Sequence, residues 1–223
     1  MKSLSSLVGG AAVILLAAGL YVGLVASPPD AFQGDYVRIM YVHVPSAFVA
    51  YLAVGTVFVA SILYLWRGRE VYDHIAHSAG ELAALFTALA LAGGMIWGKP
   101  VWGTWWTWDA RLVTTAILFL IFAGYLLVRE LAEDRGRGAR LAAVIGIIGA
   151  LDVPVIHYSV VWFRTLHPPP SIVRGNITMA PPMLAALMIN LLAFALIYLY
   201  LLLQRVRLEQ VQEAAGAAAG AES

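Results

Sequence analysis

Long apolar runs broken by short polar stretches set the character of this chain. Leu7–Ala26, Val44–Trp66, Glu81–Trp97, Leu112–Val128, Leu141–Phe163 and Ala180–Leu203 are each long and apolar enough to cross a bilayer, since a helix needs about 20 such residues for a ~30 Å hydrocarbon layer. No ten-residue polar/apolar alternation of the membrane-barrel type runs along the sequence. The pattern therefore predicts an all-α fold, a polytopic membrane bundle of six transmembrane helices joined by short connections. One six-helix unit over residues 1–209 and a flexible low-complexity tail over 210–223, ending in AAGAAAGAES, complete the expected organisation.

Composition narrows the function classes. Of 223 residues, 61% are hydrophobic and 12% charged, against about 45–50% and ~25% in soluble domains. A water-soluble globule cannot hide that much apolar surface, which excludes a cytosolic enzyme domain, a disordered chain and a nucleic-acid binder. The net charge of +1 gives no long-range steering, and with no cysteine there are neither disulfides nor thiolate sites.

Lys and Arg set the expected orientation. Lys2, Arg67, Arg69, Arg129, Arg135, Arg137, Arg140, Arg205 and Arg207 fall on the side of the termini, while Arg38, Lys99, Arg111, Arg164 and Arg174 fall on the other. That bias places both termini in the cytoplasm. Leu24-Val25-Ala26-Ser27 resembles a signal cleavage site, but the apolar run before it exceeds the ~7–15 residues of a signal core, so it reads as a span.

With six spans, the first, third and fifth connections share the outer face, and they carry the unusual residues. Five of seven tryptophans lie within residues 97–111: Trp97, Trp102, Trp105, Trp106 and Trp108, followed by Asp109 and Arg111. One or two would be an interfacial belt; five in twelve residues exceed what anchoring needs. Were the segment an interfacial helix, Trp102, Trp105, Trp106 and Asp109 would share a face, a slab of indoles suited to a large flat apolar ring. Arg111 either pairs with Asp109 or holds a ligand carboxylate in a bidentate fork.

His43, before Pro45 at the expected start of the second span, and His167, before Pro168-Pro169-Pro170, flank that segment on separate outer connections. A helix start disfavours imidazolium and so keeps His43 in the neutral form that a metal ligand needs. Two axial imidazoles beside a broad apolar face suit haem, and the outer cations suit its propionates. Zinc or copper would want a third close His or Cys, which this face lacks. His74 and His77 read as helix-end polar residues, the charged stretches Arg67–His77 and Arg129–Arg140 as solvated topology signals, and Asp152 and His157 as polar bundle positions without an assigned role.

The run Trp102-Gly103-Thr104-Trp105-Trp106-Thr107-Trp108-Asp109 resembles the WGxxWxWD signature of the haem-handling, WWD-domain membrane proteins of cytochrome c maturation. Met40-Tyr41-Val42-His43-Val44-Pro45-Ser46 and Thr165-Leu166-His167-Pro168 are similar to the histidine contexts of its CcmC branch, as is the length. The resemblance implies haem b as transient cargo at the periplasmic face of the bacterial inner membrane. It implies His43 and His167 as axial ligands of the haem iron, with Trp102, Trp105, Trp106, Trp108, Asp109 and Arg111 against the ring and its propionates. It further implies a non-enzymatic transfer subunit that works with CcmA/CcmB transporter subunits and a CcmD-type small membrane protein, and delivers haem to a CcmE-type chaperone. Two other classes compete: a small-solute carrier or channel, which would show repeats and broken helices at mid-membrane, and a haem lyase, which would need longer outer loops. No phosphate-binding GxxxxGK[ST] motif occurs, so any use of ATP belongs to a partner.

Overall fold

The structure is a computed structural model that describes residues 2–163, 166–167, 172–173, 176–177 and 179–221. Six helices in it are long and apolar enough to cross a membrane. They are α1 (Lys2–Tyr21, continued by a π turn over Val22–Ala26), α2 (Met40–Arg67, entered through a 3₁₀ turn over Asp35–Ile39), α3 (Glu70–Trp102), α4 (Ala110–Leu131), α5 (Arg135–Trp162) and α6 (Pro181–Ala221). A two-residue antiparallel ladder, β1 (Ile172–Val173) with β2 (Asn176–Ile177), lies between α5 and α6. Six crossings return the termini to one end of the bundle, the terminus end; the tryptophans mark the other.

The helix α2 is central. It packs against α3, α5 and α6, while α4 closes against α3 and α5, and α1 lies on α6. Small side chains on the helix faces, among them Ala50, Ala53, Ala79, Ala83 and Ala142, are buried and let backbones approach, as membrane helices require when no hydrophobic force drives them together. Larger groups fill the middle: Val57, Phe86, Leu118, Phe122, Tyr125, Ile156 and Phe194 form one cluster. Asn190 ties α6 to α1 by donating to the Gly19 carbonyl at 2.8 Å. Leu7, Ile14, Val59, Leu120 and Leu151 stay exposed, the expected surface of a protein whose solvent is lipid.

Two boundaries differ from the sequence pattern for a common reason. The third helix begins at Glu70 instead of Glu81, and the sixth runs on past Gln210 to Ala221. The α3 extension is polar and its charges find partners on α4 and α6, and the α6 extension carries Glu213, 3.0 Å from His74 of α3. Arg129 of α4 donates two hydrogen bonds to the buried Asp73 carboxylate, at 2.6 and 2.8 Å. Arg205 of α6 pairs with Glu81 of α3. Glu209 lies 3.1 Å from His77 and 3.7 Å from Arg135. Residues such as Arg129, read above as solvated, are thus structural cross-links, and the α2–α3 connection shrinks to Gly68 and Arg69. Gly68 adopts a left-handed conformation (φ 63°) to end α2.

Candidate haem site at the tryptophan end

His43 lies one turn inside α2 with Pro45 beyond it in the helix, so the helix starts earlier than Val44. Its imidazole faces α3 at the Gly93-Gly94 pair. A Cβ on Gly94 would come within 3.1 Å of His43 Cε1, and one on Gly93 within 3.3 Å of His43 Cβ. The two glycines therefore form a slot that only a missing side chain leaves open. Trp97, one turn further along α3, meets the imidazole edge-on with ring centroids 5.8 Å apart. Its indole N–H donates to Gln33 Oε1 at 2.9 Å, which ties the α1–α2 connection to the same spot.

His167 is held from a different direction. Its Nδ1 is 3.3 Å from Asp109 Oδ2, and Trp102 packs edge-on against the ring at 4.9 Å. Asp109 is fixed first by the local sequence: it is the N-cap of α4, with Oδ1 accepting the Leu112 backbone N–H at 3.0 Å and Oδ2 the Thr107 hydroxyl at 3.1 Å. Burial lowers the His167 pKa, Asp109 opposes that shift and Arg111 adds to it, and the net position is below the ordinary histidine value. The ring is therefore neutral at pH 7. A carboxylate facing Nδ1 favours the tautomer with the proton on that nitrogen.

Arg111, in the first turn of α4, donates to the His157 carbonyl of α5 at 3.2 Å. Asp109 therefore faces His167, and Arg111 is free of the pairing with Asp109 left open by the sequence. His43, His167 and Arg111 all line one cleft between α2, α3, α4 and α5, with an interior of about 100 Å³ behind an open mouth. Ala47, Leu91, Met95, Leu112 and Ile156 give it apolar walls, and Tyr51 and Thr115 add hydroxyls.

Comparison with known proteins bears on the whole chain. The family model described as CcmC, heme exporter protein C, matches residues 1–219. The chain belongs to the heme exporter protein C family. A relative of that name from Bradyrhizobium diazoefficiens is 41% identical over 201 residues, covering 89% of this chain and 76% of its own. One from Haemophilus influenzae is 40% identical over 213 residues, with 94% and 86% covered. A ccmC-like mitochondrial protein of cytochrome c biosynthesis from Marchantia polymorpha is 39% identical over 158 residues, with 71% and 67% covered.

In this member of the family the tryptophan segment is not an interfacial helix. Gly103 takes a left-handed conformation (φ 79°) that ends α3 after Trp102, and Asp109 starts α4, so residues 103–109 form a turn. The indoles split accordingly. Trp97 and Trp102 stand at the end of α3 beside the two histidines, whereas Trp105 and Trp108 are exposed, 55% and 86%, and Trp106 packs edge-on against Trp108 at 5.8 Å. Among the other cations, Lys99 caps α3 by donating to the Gly103 carbonyl at 3.0 Å, and Arg38 donates to the Leu24 and Ser27 carbonyls. Arg164, Arg174 and Pro168-Pro169-Pro170 lie outside the described residues. His157 contributes its carbonyl to Arg111, its ring being against Tyr158. Sequence reading missed the glycine pair and Gln33; a Gly-Gly step within an otherwise regular helix was the available signal, because it lowers helix propensity without a local reason.

Proposed function

We propose that this chain captures haem b in the cleft at its tryptophan end, on the periplasmic side of the bacterial inner membrane. It then passes the haem to a CcmE-type chaperone for c-type cytochrome maturation, as a non-enzymatic member of a complex with CcmA/CcmB and CcmD-type subunits. One observation carries the reading: two histidines 124 residues apart in sequence, His43 and His167, line the same apolar cleft with a guanidinium. The names of the relatives, heme exporters and a protein of cytochrome c biosynthesis, support it.

The chemistry of the donor set fits the cargo. Neutral imidazoles ligate iron, apolar walls desolvate the macrocycle, and Arg111 pairs with a propionate. Asp109 holds His167 in the tautomer that presents Nε2, and Trp97 and Trp102 brace the two rings. Two axial ligands leave no open coordination site, which suppresses oxygen chemistry during transit. Trp105, Trp106 and Trp108 extend the indole surface outward, toward the ring edge and the incoming chaperone. His43 is carried on a helix in a tight slot, while His167 sits on a connection and is held by side chains, so His167 is the ligand that gives way on release.

Absorption spectra of the purified protein test this. The unaltered protein shows a six-coordinate low-spin haem; His167→Ala keeps haem in altered, weaker ligation; His43→Ala loses most of it. A low-spin spectrum unchanged in both variants overturns the ligand assignment.

A further inference from the structure

The end of the bundle away from the cleft holds a second cluster of ligating side chains. Glu70 and His74 stand one turn apart at the start of α3, and Glu213 reaches them from the extension of α6. One ligand atom from each lies within 4.8 Å of the other two. His74 is only 3% exposed, and neither of its ring nitrogens makes a hydrogen bond. Its Nε2 comes 3.0 Å from Glu213 Oε2, close but off the line that a hydrogen bond requires. Two donors sharing a tetrahedral ion at ~2.0–2.1 Å stand about 3.4 Å apart, so a shift of about 0.4 Å would let both ligate one ion.

Charge points the same way. The carboxylates gathered here are Glu70, Asp73, Glu81, Glu209 and Glu213, and their guanidinium partners are Arg129, Arg135 and Arg205. Counted without the histidines, these carboxylates outnumber the guanidiniums by two; Asp73 and Glu209 are buried, while Glu70 and Glu213 are accessible. The buried Asp73 and Glu209 already have guanidinium partners, so Glu70 and Glu213 are the carboxylates left to a divalent cation.

We propose that Glu70, His74 and Glu213 bind a divalent cation of the zinc type, which staples the α6 extension to the start of α3. The imidazole selects a borderline first-row metal over magnesium or calcium, whose preferred ligands are all oxygen. Glu70 is exposed, which leaves the site open to an ion and to a completing water.

Cobalt(II), a coloured stand-in for zinc, tests the site in the purified full-length protein. One equivalent binds with visible absorption bands and is displaced by Zn²⁺; His74→Ala abolishes the bands and Glu213→Gln weakens binding about tenfold or more. Chelation with EDTA lowers the melting temperature of the unaltered protein and leaves that of Glu213→Gln unmoved. Haem spectra stay unchanged in both variants, which separates this site from the cleft. Cobalt binding that is no tighter in the unaltered protein than in His74→Ala overturns the proposal. Should His74→Ala fail to fold, Glu70→Gln and Glu213→Gln decide it, since equal cobalt binding in both and in the unaltered protein has the same consequence.

Discussion

Asp109 shows how one residue links local folding to the site. Its carboxylate starts α4 and faces His167 at once, so the turn that positions the tryptophans also sets the tautomer of the histidine. Asn caps helices as well as Asp, which lets Asp109→Asn separate the two roles: the fold is retained, and haem affinity falls about 10–100-fold, the usual cost of losing the group behind a ligating histidine. Haem titration against a melting curve checks both halves. The pH dependence follows from the lowered His167 pKa. Under the proposed ligation, iron competes with the proton for the His167 imidazole, so haem retention is expected to be flat at and above the ordinary histidine pKa of about 6.5 and to decline only on acidification below it. Loss of the Asp109 charge removes an upward influence on that pKa and moves the acid edge lower still.

Helix α3 does most of the organising at the scale of elements. At one end Gly93-Gly94 accepts His43; at the other Asp73 binds Arg129, and Glu70 with His74 meets α6. Gly94→Ala puts a methyl 3.1 Å from the His43 ring, and overpacking of this kind costs about 1–3 kcal/mol. The imidazole must shift, so the low-spin haem fraction drops. Gly55→Ala, where a Cβ meets nothing within 4 Å, leaves the spectrum unaltered and serves as the control. Equal spectra for the two variants exclude the slot as the device that aims His43. Hydropathy located α3 but cut it short at Glu81, because a hydropathy window treats every charge as an exit to water and cannot see that Arg129 and Arg205 wait on neighbouring helices.

The molecule as a whole is a scaffold with different chemistry at its two ends: two histidines in an apolar cleft at one, a dense ionic network at the other. Even crossing number puts the termini together, and the Lys/Arg bias predicts that they face the cytoplasm. The absence of cysteine makes single-cysteine labelling direct. Ala31→Cys, on the exposed α1–α2 connection, reacts with an impermeant maleimide in intact cells, whereas Ala214→Cys reacts only after permeabilisation. The opposite pattern reverses the orientation, and labelling of both from outside contradicts six crossings.

The number of helices, their approximate positions, the clustering of tryptophans and the two histidine contexts were legible along the chain, because membrane insertion is governed by residue-by-residue transfer free energy and topology is a matter of parity. Packing decided the rest. Which indoles brace a histidine and which face outward depends on a single left-handed glycine and an N-cap. Whether a charge is solvated or buried depends on partners 50 to 130 residues away, such as Arg129 for Asp73 and Arg205 for Glu81. The cleft itself exists only where four helices meet, and no local pattern encodes where helices distant in sequence come together.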